Sequence, residues 1–299
     1  MKISLKPLDQ QVMLITGASS GIGRATALMA AERGAQLLLV ARSDDSLAAL
    51  ADEINARAGR RCAAWFHADV AHRDALQNAA SEAIQQFGRI DTWVNDAGVT
   101  IYGRLDEVSD DDSRRLFETN FWGVVHGSLI ALPYLRQQGG ALINVGSEVS
   151  DAVVPYQGIY SASKHAVKGF TDALRVEVQQ VDEAPVAITL IQPTAVDTPY
   201  PQHARNYMLQ EPKLPTPMVA PEKVAEAILD AATTERRDVK VGTMAKLNTV
   251  VSKVMPSLGD KLSAAQADRQ QRDERPREPA GALHAPMAAN TNRVRGDGG

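Results

Sequence analysis

Polar and apolar positions along the chain follow two alternating rhythms. Short, mainly apolar runs fall at 12–15, 36–40, 63–68, 90–94, 141–145 and 186–191, with a last one at 239–241. Between them the apolar residues recur every three or four positions, as at Leu47, Leu50 and Ile54, which predicts helices over 24–33, 44–59, 74–87, from Asp110 onward, after Tyr160 and over 221–232. Strands apolar on both faces belong inside a parallel sheet, and parallel neighbours need crossover connections, here the helices. The pattern therefore predicts an α/β fold, a Rossmann-type doubly wound parallel β-sheet with helices on both faces. Ligands of such sheets bind at the carboxyl ends of the strands.

The rhythm covers 1–243, read as one domain. Pro199, Pro201, Pro212, Pro215, Pro217 and Pro221 forbid a continuous helix there and predict a substrate loop near 194–221, with Tyr200, His203, Tyr207 and Met208 as candidate pocket residues. Leu247, Val250, Val251 and Val254 suggest an accessory helix over 244–258. From Asp260 on there is no Phe, Trp or Tyr, so residues 259–299 are expected to be a disordered tail that buries too little to offset its ordering entropy.

Composition narrows the function classes. A net charge of −4 over 299 residues gives no global field to recruit nucleic acid. Cys62 is the single cysteine, which excludes an intrachain disulfide and a Cys-rich metal site. His67, His72 and His126 stand apart without a second ligand at metal spacing and read as structural. No run approaches the ~18 apolar residues of a membrane span, and the first residues lack a signal-like apolar stretch, so a cytoplasmic protein is expected.

The chemistry lies where strands end. After the first strand, Thr16 leads into Gly17, Gly21 and Gly23 and then a helix, the plan of a nucleotide-binding βα unit whose free N–H groups receive a pyrophosphate. The second strand ends in Arg42 with no acid until Asp44; an arginine there pairs with the 2′-phosphate of NADP, whereas an acid would accept the 2′-hydroxyl of NAD. Asn120 is polar on an apolar helical stripe and must find partners. Ser147 follows the fifth long strand, and Tyr160 and Lys164 stand one helical turn apart, which places an ammonium near a phenol and predicts a lowered phenol pKa.

Thr16-Gly17 with Gly21 and Gly23, Asn95 with Ala97-Gly98, Asn120, Ser147 and Tyr160 with Lys164, in this order over roughly 10–240, resemble the short-chain dehydrogenase/reductase family. The resemblance implies hydride transfer between a nicotinamide cofactor and a carbonyl or alcohol carbon of a small-molecule substrate. It makes Tyr160 the acid/base, Ser147 the hydroxyl that holds the same oxygen, Lys164 the ribose ligand that tunes Tyr160, and Asn120 the holder of a water at a helix break. It assigns cofactor contacts to Gly17, Ser19, Ser20, Gly21, Ile22, Gly23, Arg42, Asp69 on the adenine, Val70, Asn95, Ala97, Gly98, Tyr160, Lys164, Pro193, Val196 and Thr198. Asp96 and Thr194 depart from the family's usual Asn and Gly, putting a charge near the cofactor edge and a side chain beside the nicotinamide.

NADP(H) is thus expected ahead of NAD(H), in a homodimer or homotetramer built through the helices around Asn120 and after Tyr160. A cofactor-binding sensor without catalysis is the alternative, and loss of a catalytic hydroxyl would favour it. Nucleotide-sugar chemistry would need a larger region after the sheet than this chain has. Membrane contact by 245–256 ranks below packing on the core.

Overall fold

The computed structural model describes residues 3–243, 255–288 and 291–297. Seven parallel strands form its centre: β1 (Val12–Thr16), β2 (Gln36–Ala41), β3 (Ala63–His67), β4 (Thr92–Asn95), β6 (Gly140–Val145), β7 (Val186–Pro193) and β9 (Asp238–Val241). Their order is β3-β2-β1-β4-β6-β7-β9. It reverses beside β1, so a crevice opens at the carboxyl ends of β1 and β4, the switch point of a doubly wound sheet. Two further strands, β5 (Ile101–Tyr102) and β8 (Arg205–Asn206), pair with each other in parallel above that edge.

Alternation within each strand splits the core between the two faces. Met13 and Ile15 of β1 and Leu37 and Leu39 of β2 pack with α1 (Gly21–Glu32), α2 (Asp44–Ala58) and α7 (Pro221–Thr233). Leu14 and Leu38 go the other way, toward α3 (Arg73–Phe87), α5 (Gly123–Gln138) and α6 (Gly158–Arg175). Each such leucine is fully buried, worth about 1.5–3 kcal/mol.

The helix expected from Asp110 is interrupted. α4 (Asp110–Phe117) is capped by Ser109, whose hydroxyl accepts the Asp112 N–H, and passes through a π-helical turn, Glu118–Trp122, into α5. Such turns commonly mark functional sites, and this one carries Asn120.

The accessory helix expected over 244–258 falls mostly outside the described residues. Its last residues open a helix, Pro256–Ala264, that runs into the segment expected to lack structure. In the structure that segment lies back across the crevice: Leu283 is fully buried beside Val99, Ile101 and Leu116. Several of its other contacts are made by backbone carbonyls, which residue composition does not reveal.

Candidate active site

The first turn after β1 is forced by sterics. Gly17 has φ +72, and a Cβ there would come 2.8 Å from the Ala97 nitrogen; a Cβ on Gly23 would come 2.4 Å from the Gly17 oxygen. Only glycine lets the loop sit this close to the end of β4. Thr16 ties the two strands together: its hydroxyl donates to the Val94 carbonyl (3.3 Å) and accepts the N–H groups of Asp96 (3.1 Å) and Ala97 (3.2 Å). The N-cap Ser20 makes no side-chain cap, leaving the start of α1 to an outside acceptor.

One cleft is lined by the glycine loop (Gly17, Ser19, Ser20, Gly21, Ile22), by Arg42, Asp69 and Val70, by Ala97 and Gly98, by Ser147, Tyr160 and Lys164, and by Pro193, Val196 and Thr198. Gly23 lies behind the loop. Asn95 stands apart from this group. Its side chain accepts from the Trp93 indole (2.8 Å) and donates to Asn144 (2.9 Å) and Ser128 (3.2 Å), so it is committed to the core beneath the cleft.

Tyr160 and Ser147 face each other, the Ser147 hydroxyl hydrogen-bonding the phenol. Lys164 Nζ lies 5.8 Å from the Tyr160 ring centroid and donates to the Val145 carbonyl at 2.9 Å. The lowered phenol pKa expected from the Tyr160–Lys164 spacing is absent in the chain alone. Burial pushes Tyr160 up, the bonds from Tyr200 and Ser147 draw it back, and the nearby Glu148 and Asp96 charges add to the rise. Burial also drives Lys164 down, to about 8, against the pull of Asp96. Desolvation outweighs the cation here.

Asn120 Oδ1 accepts the Val99 N–H (2.8 Å), and its Nδ2 donates to the Val99 carbonyl (2.9 Å) and the Ser163 hydroxyl (3.2 Å). The departures at Asp96 and Thr194 are both accommodated. The Asp96 carboxyl meets the Gly23 N–H, and burial raises it to about 7 against the pull of Lys164 and that N–H. Thr194 turns its methyl onto Gly242 and donates its hydroxyl to Glu148 (3.0 Å).

At the far end, Arg115 is absent from the cleft lining but reaches its edge, a neighbour that the sequence did not disclose. It pairs with Asp69 and stands with Arg42 around one oxygen, the Leu283 carbonyl, at 3.2 Å from its own Nε and 3.3 Å from Arg42 Nη1. Burial pushes the Asp69 carboxyl up, but the Ala71 N–H, Arg115 and Arg42 outweigh it and hold it below its ordinary value. Of the loop candidates, Tyr200 stacks edge-on with Tyr160 (5.6 Å) and lines the cleft with His203. Tyr207 instead bonds Asp112 (2.7 Å). Met208 is absent from the cleft lining. Among the described residues no His, Cys, Asp and Glu group is placed to hold a metal, and no helix is long and apolar enough to cross a membrane.

The sequence profile of the short chain dehydrogenases matches residues 11–208. The chain belongs to the short chain dehydrogenase family. This short chain dehydrogenase is 42% identical to the uncharacterized oxidoreductase YxnA of Bacillus subtilis, over 93% of this chain and 78% of that protein. It is 31% identical to dehydrogenase/reductase SDR family member 7B of Bos taurus, over 88% and 83% of the two chains. Among solved structures it resembles a short chain dehydrogenase/reductase of Burkholderia phymatum in complex with NAD, with TM-score 0.76, 27% identity and coverage of 85% and 96%. An alcohol dehydrogenase of Thermococcus sibiricus complexed with 5-hydroxy-NADP follows, with TM-score 0.68, 27% identity and coverage of 77% and 95%. The shared fold is the seven-stranded parallel sheet with its flanking helices, in a single domain.

Proposed function

We propose that this oxidoreductase transfers a hydride between NADP(H) and the carbonyl or alcohol carbon of a small-molecule substrate, with Tyr160 as acid/base. The observation that carries the reading is the meeting of the Tyr160 phenol, the Ser147 hydroxyl and the Lys164 ammonium in the cleft that also contains the glycine loop. When bound, the nicotinamide supplies or accepts the hydride. Tyr160 gives its proton to the substrate oxygen as charge develops there, and Ser147 donates a second hydrogen bond to the same atom. Donors placed in advance of such charge are worth about 3–4 kcal/mol apiece. Lys164 holds the cofactor ribose and positive charge behind the phenol, which counters the rise that burial imposes on Tyr160.

The phosphates would be held by the N–H groups at the start of α1 and the 2′-phosphate by Arg42 with Arg115, two guanidinium groups already converging on one oxygen. Solved relatives carry NAD in one case and an NADP derivative in the other; the arginine pair favours NADP here. Val149, Val154, Tyr200, Leu214 and Pro215 give the substrate end an apolar wall. Trp122, Leu129 and Val176, large apolar residues exposed along the helices around Asn120 and after Tyr160, support the expected homo-oligomer, and the cytoplasm stays the expected location.

The test is consumption of NADPH and NADH against a panel of ketones, aldehydes and quinones, with wild type beside Tyr160→Phe. Turnover that prefers NADPH and falls by about 10²-fold or more in the variant supports the reading. Turnover that prefers NADH would sink the cofactor assignment and leave the proton transfer standing. Tight NADPH binding without turnover of any compound would favour a cofactor sensor.

A further inference from the structure

The groups assigned to the cofactor's phosphates already hold acceptors from the chain's own tail, besides the Asp69 carboxylate that pairs with Arg115. The Leu283 carbonyl sits between Arg42 and Arg115, and the Ala282 carbonyl takes a second bond from Arg42. At the uncapped start of α1 the Arg293 carbonyl accepts the Gly21 N–H at 2.9 Å. Between them Asn292 bonds Ser46 (2.7 Å) and Ser43 (3.3 Å), just past Arg42.

We propose that the tail, through 282–288 and 291–295, is a built-in competitor of the cofactor: it seats backbone carbonyls on the phosphate-binding groups and leaves when the cofactor binds. The proposal rests on the cofactor reading above. The N–H groups of Arg42 and Gly21 that the tail occupies are the ones that reading assigns to phosphates, so tail and cofactor exclude each other. A carbonyl is also the weaker partner. A phosphate brings full charge to a guanidinium, whereas a peptide oxygen brings a partial one.

The tail is anchored well enough to compete and loosely enough to yield. Leu283 is its one fully buried hydrophobic side chain, set beside Val99, Ile101 and Leu116. Its remaining side-chain bonds are few, such as His284 on Asp112 (2.7 Å) and, between exposed residues, Arg295 on Glu222 (2.8 Å). A chain whose competent state is only partly populated binds its ligand more weakly by that fraction. Undocking the tail should therefore tighten cofactor binding.

The experiment is NADPH titration of the full-length protein, followed by fluorescence, with wild type, Leu283→Asp and Asn292→Ala. Leu283→Asp removes the anchor and is expected to bind NADPH about tenfold more tightly. Asn292→Ala, a surface change with little bearing on folding, is expected to move the same way by about twofold to threefold. In wild type, saturating NADPH is expected to speed tryptic cleavage at Arg293 and Arg295. NADPH that protects these sites, or variants that bind it no more tightly than wild type, would overturn the proposal while the cofactor reading stands. Variants and wild type that bind neither NADPH nor NADH would overturn both.

Discussion

Asn120 holds both ends of Val99, accepting its N–H at 2.8 Å and donating to its carbonyl at 2.9 Å, so one side chain closes the loop after β4 onto the π-helical turn. Asn120 is fully buried and Val99 nearly so. Asn120→Ala would leave two buried backbone groups without partners, each worth about 1–3 kcal/mol. A loss of about 2–5 kcal/mol is expected in urea unfolding. Loss of catalysis at unchanged stability would show instead that the clasp is dispensable to the fold.

Much of this arrangement was legible in the chain, and what was not has physical reasons. The central strands and their flanking helices were readable because each buries a face, and burial enforces a period. The partner of Asn120 was not, since contact across 21 residues needs the fold. Arg115 reads as part of a solvated, charged turn, Asp110-Asp111-Asp112-Ser113-Arg114-Arg115, and only the sheet order brings the end of β3 beside it. The spacing of Tyr160 and Lys164 showed that the two share a face but not how dry that face is, and dryness decides the direction of both shifts. The docked tail lacks aromatic residues and a repeating apolar face to read, and several of its key contacts are made by its backbone carbonyls.

Cofactor choice should follow the arginine pair. Arg42→Ala and Arg115→Ala each remove one guanidinium from the oxygen they share. Each is expected to weaken NADPH by about tenfold to a hundredfold and NADH by little. The ratio of the two dissociation constants is the quantity to measure. Release of the tail by either variant would favour both cofactors alike and cancel in that ratio. A ratio unchanged in both variants would remove the 2′-phosphate from this site.

Asp96 should make stability depend on pH in an unusual direction. Burial pushes its carboxyl up to about 7 in the fold, from the ordinary 3.8. Between these values the folded chain holds the proton more tightly than the unfolded one, so this group's contribution is full below about 4 and is lost as pH rises through about 7. Asp96→Asn keeps the shape and abolishes the titration. The variant should gain on wild type from pH 5 to pH 8, by on the order of 2 kcal/mol in urea unfolding. A constant difference across that range would mean that Asp96 ionises normally in the folded protein.

Two glycines in helices should respond to alanine with opposite signs. Gly169 lies inside α6 with nothing within 4 Å of the position a Cβ would take. Gly169→Ala should therefore stabilise by about 0.5–1 kcal/mol, the ordinary gain of alanine over glycine in a helix. Gly127 lies inside α5 against the buried amide network, where a Cβ would come 2.2 Å from Asn95 Oδ1 and 2.9 Å from the Trp93 indole nitrogen. The added methyl must displace the Trp93–Asn95 bond, and Asn95 is linked through Asn144 to Thr171 on α6. Overpacking and a broken buried bond together should cost about 2–5 kcal/mol, far more than the helix gains. Thermal unfolding of the pair checks both signs at once. Equal shifts would mean that backbone entropy alone governs both positions and that the network under the cleft yields without loss.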